Sequence, residues 1–382
     1  MNQFCEQCGA QITASQTTCP QCGRAVAKTP AKRGGGTWIF VTLILIAVIA
    51  GAVFFFVMRV KKPVTTPLPQ AQNTPATTPP SSPSARPDTL TGHVKTVSGL
   101  VFSKDGQLLI SASEDGTVRI WDLATGASKS VLKREGQEIN AIAYAPDGQT
   151  LAIGEYNGGS GTIAEVVDIS TGTLGATKIK FPMPNDVISS FEYLHDGKSL
   201  IVAEALKAKI WDPATGQQVR TLASGINTIS VLSPDGTAIA TGGTNDKHLS
   251  IWAAQSGDKL HEIETSDDGL GIEALAFSPD GKTVASGGHA ALLQLWGTDT
   301  WSKKGEAKDP DELSISQIAF SPAGNVLAAV VAHGIRLWSP DLEKVISTVS
   351  MEHVNRIVFS PDGQTLAVGL DDGVIKLIPV KL

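Results

Sequence analysis

The longest break in the mixed hydrophobic and polar pattern of this chain is Trp38–Met58 (WIFVTLILIAVIAGAVFFFVM), 21 residues without a charge. At about 1.5 Å per residue such a helix covers about 30 Å, the hydrocarbon thickness of a bilayer. The run therefore predicts one transmembrane helix. Trp38 stands at one end, where an indole favours the interface, and Arg59, Lys61 and Lys62 stand at the other. A cleaved signal peptide is the rival reading. It is opposed by the 37 residues ahead of the run and by its length, since an apolar signal core needs only about 7–15 residues.

From residue 90 onward the pattern changes to short apolar runs separated by glycine turns. One turn recurs seven times, as SKDG (103–106), APDG (145–148), LHDG (194–197), SPDG (233–236), SPDG (278–281), SPAG (321–324) and SPDG (360–363). Its glycines step by 42, 49, 39, 45, 43 and 39 residues, close to the about 40–45 of a four-stranded propeller blade. Asp-Gly between apolar runs predicts hairpins with primed turns, because glycine accepts the positive φ they need. The runs LLISAS, TLAIGE, TVASGG and TLAVGL have strand-like length and composition. A second turn, Asp-x-x-Thr-Gly, recurs at 122–126, 168–172 and 212–216. No helical period of useful length interrupts this region.

The first unit, Thr91-Gly92-His93 followed by FSKDGQLLISASEDGTVRIWD, resembles the WD-repeat family. The resemblance implies an all-β fold, a seven-bladed β-propeller, in which a buried His, Ser/Thr, Asp and Trp brace each blade. By motif these are His93, Ser111, Asp115 and Trp121, a structural set and not a catalytic one. Later units depart from the pattern. Trp211, Trp252, Trp296 and Trp338 keep the aromatic, Val167 and Ile378 replace it, and no later unit keeps Gly-His. The full set is therefore expected in blade one alone. The seventh unit stops near Leu377–Leu382 without an outer strand, while Thr89–Thr91 resembles an outer strand without a blade. Pairing them would close the ring and remove an open edge.

Between the span and the propeller, Lys61–Asp88 holds eight prolines in 28 residues. Such a segment favours extended polyproline II and reads as a semi-rigid stalk. Net charge is −6, and residues 1–37 and 59–88 each carry +3, which leaves −12 on residues 89–382. An acidic domain repels phosphate backbones, which argues against a nucleic-acid partner. All four cysteines fall in the first 22 residues, as Cys5-x-x-Cys8 and Cys19-x-x-Cys22, each pair followed by glycine. Four soft ligands in two such turns suit one structural Zn²⁺, and the head resembles prokaryotic zinc ribbons. A redox pair, disulfides or iron are the alternatives. About 25 residues cannot fold unaided, so metal binding is expected to be the folding event. The organisation read from the sequence is thus zinc ribbon 1–27, basic Gly-rich tether 28–37, transmembrane helix 38–58, Pro/Thr-rich linker 59–88 and propeller 89–382.

Catalytic motifs are wanting. Gly281-Lys282-Thr283 and Gly197-Lys198-Ser199 imitate the end of a phosphate-binding loop, but the required earlier glycine is replaced by Ala276 and Glu192. Neither a Gly-x-Ser-x-Gly elbow nor His-Glu-x-x-His occurs. The expectation is a membrane-anchored scaffold, not an enzyme, whose propeller face takes a protein or peptide. A single-pass sensor and a propeller hydrolase or dehydrogenase are the alternatives. Zinc thiolates persist best in a reducing cytosol, and four basic residues precede the span against three after it. Both place the N-terminus in the cytoplasm and the propeller outside.

Overall fold

The structure is a computed structural model. It describes residues 87–381, apart from 159–161, 184–187, 205–206, 225–228, 244–245, 266–270 and 310–311, together with two short strands near the N-terminus. The four cysteines, the tether, the expected span 38–58 and the stalk up to residue 86 lie outside the described residues. No helix among the described residues is long and apolar enough to cross a membrane. The chain divides into two units, Met1–Pro79 and Pro80–Leu382. In the first, Gln3–Phe4 pairs antiparallel with Gln11–Ile12, so that the segment carrying Cys5 and Cys8 joins two paired strands.

The second unit is built of seven four-stranded antiparallel sheets. Their first strands are Val97–Phe102, Glu138–Tyr144, Ile188–Tyr193, Ile229–Leu232, Ile272–Phe277, Ile315–Phe320 and Val354–Phe359. Each first strand touches the first strand of the next blade, and the seventh touches that of the first, so these strands ring a central axis. The seven-bladed β-propeller expected from the repeats is the observed fold.

Each blade's second strand is buried on both faces, as LLISAS, LIVAE, TVASGG and TLAVGL show. A strand covered on both sides cannot alternate polar with apolar residues, so it reads as a continuous apolar and small run. The small residues make room for the neighbouring blade. A Cβ on Gly369 would lie 2.6 Å from Val97 Cγ1, one on Gly242 2.9 Å from Ile272 Cβ, and one on Gly287 2.9 Å from Ile315 Cγ2. The fourth strands face outward and alternate, as in SKSVLK and KKGEAK. Their lysines discourage pairing at the free outer edge.

The recurring turns are wider than the primed two-residue hairpins that Asp-Gly predicts. Ser103 N–H donates to Leu108 O and Gly106 N–H to Ser103 O, leaving residues 104–107 between the paired ends. Gly106 takes φ 68°, whereas the aspartate keeps negative φ. Side chains explain the wider loop. Ser103 Oγ donates to Asp105 Oδ1 at 2.6 Å, Asp105 Oδ1 accepts Gln107 N–H at 3.0 Å, and Ser103 Oγ accepts Leu108 N–H at 2.9 Å. The loop's amides are thus satisfied from within. Blade six has Ala323 in place of the aspartate, and Ser321 Oγ turns to Asn325 Oδ1 at 2.8 Å. The proline of one turn rests on the glycine of the next: Pro361 on Gly106, Pro234 on Gly281, Pro279 on Gly324 and Pro322 on Gly363.

Closure comes from the start of the domain. Thr89–Leu90 is the outer strand of blade seven, with Thr89 opposite Lys376 and Leu90 opposite Ile375. Asp88 O accepts Leu377 N–H at 2.8 Å, and Lys376 Nζ donates to Thr89 Oγ1 at 3.0 Å. Leu90 is 1% exposed and packs with Leu109, Trp121, Ile375 and Leu377 at the joint between blades seven and one. Two residues thus join the ends of the domain. Replacing Leu90 with Ala should cost about 2–4 kcal/mol, the range for emptying a buried leucine site. A thermal melt that leaves the midpoint unmoved would show that this clasp is dispensable.

Candidate functional site

In blade one the strands converge four of the residues singled out by sequence. Trp121 Nε1–H donates to Ser111 Oγ at 2.8 Å, and Ser111 Oγ lies 2.7 Å from His93 Nε2. His93 Nδ1 lies 3.0 Å from Asp115 Oδ2 and 2.9 Å from Thr117 Oγ1. Asp115 also accepts Val94 N–H at 3.0 Å and Thr117 N–H at 2.8 Å. One proton arrangement satisfies this chain: indole to hydroxyl, hydroxyl to Nε2, and Nδ1–H to carboxylate. The imidazole is then neutral. Burial lowers its pKa, and Arg119 adds to that, against the opposing pull of Asp115. Burial raises the Asp115 carboxyl, but the hydrogen bonds from Thr117 and the Val94 amide and the nearness of His93 outweigh it and the net shift is downward. Thr117 is a fifth member that the motif did not indicate. Its position at the start of the third strand, beside Asp115 and Gly116, is the only sequence signal for it.

The other blades keep fragments of this set. Trp252 Nε1–H donates to Thr241 Oγ1 at 2.9 Å and Trp296 Nε1–H to Ser286 Oγ at 2.8 Å. Blade two uses ions instead. Arg134, in the connection from blade one, donates from Nε to Glu155 Oε1 at 2.8 Å and to Glu165 Oε1 at 2.9 Å. Burial and the neighbouring Glu165 push Glu155 up. Burial also acts on Glu165, but hydrogen bonds from Glu155 and Arg134 hold it down. In blade six Arg336 Nε donates to Asp309 Oδ2 at 2.7 Å, again gripping the incoming connection. These groups fasten connections to blades.

Functional chemistry of another kind lines the axis. A first strand has one paired edge, and its free edge faces the axis, where backbone groups need partners. Side chains from the adjacent blade supply them. Glu192 Oε2 accepts Leu232 N–H at 2.7 Å, Gln317 Oε1 accepts Ile357 N–H at 2.6 Å, Arg356 Nε donates to Ser98 O at 2.8 Å, and Ser98 Oγ donates to Ile139 O. Each crosses one joint of the ring. Burial pushes the Glu192 carboxyl up to about 7, against the opposing Leu232 amide.

The antiparallel order puts the proline–glycine turns on one face and the connections between blades on the other. The turn face repeats nearly the same chemistry. The connection face does not: it carries Val94 and Leu313, 79% and 80% exposed, and His289–Glu273, His333–Glu312 and His353–Asp371 pairs on blades five to seven. Among the described residues, no group of three or more His, Cys, Asp and Glu side chains is placed to hold a metal.

Comparison with known proteins agrees with this architecture. The family model of the WD domain, G-beta repeat, matches residues 86–122, 216–253, 257–297 and 343–378. A zinc-ribbon domain model matches residues 4–26. The chain is similar to a guanine nucleotide-binding protein subunit beta of Oryza sativa subsp. japonica, at 23% identity over 76% of this chain and 82% of that protein. It is also similar to human transducin beta-like protein 2, at 24% identity over 73% of this chain and 68% of that protein. The sheets form a seven-bladed β-propeller, and the matches liken its repeats to the WD domain, G-beta repeat, and residues 4–26 to a zinc-ribbon domain.

Each matched repeat runs from an outer strand into the three inner strands of the following blade, which is why the first begins at the clasp. The inner strands of blades two, three and six go unmatched; in these the residue five after the turn glycine is Ile153, Val202 or Ala329 in place of a hydroxyl, as it is Val368 in the matched blade seven. Blade three retains Trp211, which pairs with Leu200, while Val202 stands at the hydroxyl's place, and the indole Nε1–H is buried without a partner. Phe181 stacks on the same indole at 5.2 Å. Substituting Val202 with Thr reproduces the pair of blade four and should stabilise the protein by about 1 kcal/mol, the net worth of one hydrogen bond. A melting temperature equal to or below the parent's would mean that the indole finds no hydroxyl there.

Proposed function

We propose that the protein is a membrane-tethered scaffold whose propeller docks a protein partner or peptide through its connection face. The observation that carries this reading is the difference between the two faces. On the turn face, serine and aspartate side chains are occupied by their own loop amides. The connection face presents different side chains in each blade, among them exposed Val94 and Leu313 flanked by charge. Specific recognition needs such non-repeating chemistry, with an apolar centre and a polar rim. The similar proteins of rice include one whose name is that of a subunit of an assembly, in keeping with docking and not catalysis.

The tether is the apolar run 38–58, with the ribbon in the cytoplasm and the propeller outside. A membrane-impermeant crosslinker applied to intact cells should then capture a partner, and Val94→Asp with Leu313→Asp should abolish capture without lowering the melting temperature. Such exposed substitutions cost less than about 0.5 kcal/mol. Capture only with a permeant reagent would overturn the orientation; capture undiminished by the double substitution would overturn the docking face.

At the other end, Cys5, Cys8, Cys19 and Cys22 form a donor set of four thiolates that fits one Zn²⁺. The pairing of Gln3–Phe4 with Gln11–Ile12 supports the fit, since it joins two strands through the segment carrying the first ligand pair. The ion would act as a structural cross-link. Elemental analysis of the purified protein should return one zinc per chain and Cys8→Ser none; a full zinc content in the variant would remove Cys8 from the ligand set.

A further inference from the structure

The outer strand of every blade ends its sheet and so has one free edge. Blades one to five place charge in that strand, as SKSVLK, TKIKFPM, QQVRTLAS, KLHEIE and KKGEAK, and blade seven shortens it to Thr89–Leu90. Blade six does neither. Its outer strand, Val345–Ser350, reads VISTVS, six residues without charge or proline. Thr348 stands opposite Arg336, the place that Glu262 holds opposite Ser250 in blade four and Glu306 holds opposite Gln294 in blade five. Ser350 likewise takes the place of Lys133 in blade one, Glu264 in blade four and Lys308 in blade five. Hydroxyls thus replace the charges that guard the sister edges, and Val345 is 40% exposed beside them.

An unguarded edge offers its N–H and C=O groups to any strand that fits. These groups alternate in direction along a strand. Met351 N–H donates inward to His333 O at 3.3 Å, so the backbone groups of Thr348 and Ser350 point outward. The register shift in this strand falls ahead of Ser347, which leaves Ser347–Ser350 regular. Two copies related by a two-fold axis must bring outward groups together. With the axis at Thr348, that residue meets its own copy, Ser347 meets Val349, Val345 meets Met351 and Lys344 meets Glu352. Like charges nowhere oppose one another in this register, and the charged pair is complementary and occurs twice. Thr348 Oγ1 already accepts Arg336 Nη1–H at 3.0 Å, which leaves its hydroxyl proton for the facing copy. We propose that Val345–Ser350 is a homodimer edge, at which two copies of the chain pair antiparallel about a two-fold axis at Thr348. A second copy is the occupant because the strand complements itself in charge and places hydroxyl against hydroxyl at the axis. Six paired residues a side make a small contact, so the dimer is weak and reversible. The edge lies on neither face of the ring, and the inference does not rest on the scaffold reading.

The test is sedimentation of the purified full-length protein in detergent over a concentration series. The parent should pass from monomer to dimer. Thr348→Glu sets two carboxylates face to face at the axis and should weaken association about fivefold or more, and Thr348→Lys should do the same with two ammonium groups. An equal mixture of the two variants should recover association, because Glu then faces Lys. Should either variant melt early, Ser350→Lys introduces the edge lysine of blades one and five and should weaken association as well. A parent that stays monomeric leaves the edge to a strand of another protein and overturns the homodimer. Dimers undiminished by the substitutions place the contact elsewhere in the chain and overturn it too, and weakening without recovery in the mixture overturns the axis at Thr348.

Discussion

No blade of this propeller can bury its own faces. Each is one sheet thick, and its second strand carries apolar or small residues on both sides. The only cover is the neighbouring blade. Accordingly the hydrophobic interior is not one core but seven, each spanning a joint between consecutive sheets. A linear stack of such units would leave two apolar faces wet at its ends. Bending the stack into a ring removes both at once, provided that the last joint is as well made as the other six. Everything else in the domain follows from that requirement. Glycines in the second strands admit the next blade, prolines seat on the following turn, and Leu90 closes the final joint.

Much of this was legible because the repeat advertises itself. Seven turn glycines at nearly constant steps fixed the number of blades, and Thr89 with Leu90 ahead of the first unit indicated how the ring would close. The turn geometry was misread from Asp-Gly alone: the serine two residues before the aspartate bonds both the carboxylate and a loop amide, and so selects a four-residue loop. The axial ring was beyond reach. Arg356, Gln317 and Glu192 sit in strands where a bulge shifts the register ahead of the relevant position. Simple alternation therefore cannot say which side chains meet the axis. Nor could spacing reveal the blade-two ion cluster, whose members are 21 and 31 residues apart. Such groups are brought together by the third dimension and by no local rule.

The braces show how one structural need is met by different chemistry. Where Trp121, Trp252 and Trp296 sit, a hydroxyl receives the indole N–H. Where the aromatic becomes Val167 or Ile378, the residue at the hydroxyl's place becomes Ile153 or Val368, and no polar group is stranded. Either pairing is consistent, because burial penalises only a donor without an acceptor. Blade three, with Trp211 but Val202 at the hydroxyl's place, mixes the two and leaves the indole N–H unpaired. The local inconsistency marks a stability defect in blade three and not a second site.

The ring is sevenfold in backbone and asymmetric in side chains, and that asymmetry is what a binding surface requires. Seven identical blades would offer a partner seven equivalent orientations. Here the free edges of the first strands are tied across their joints by a carboxylate, an amide, a guanidinium and a hydroxyl, each at a different place. Each staple satisfies backbone groups that a repeating apolar residue would leave bare, so variation costs the fold nothing at these positions. The same substitutions give each sector of the axis its own charge and size. A scaffold of this kind can diversify where its first strands face one another while the turns and second strands, which bear the closure, stay uniform.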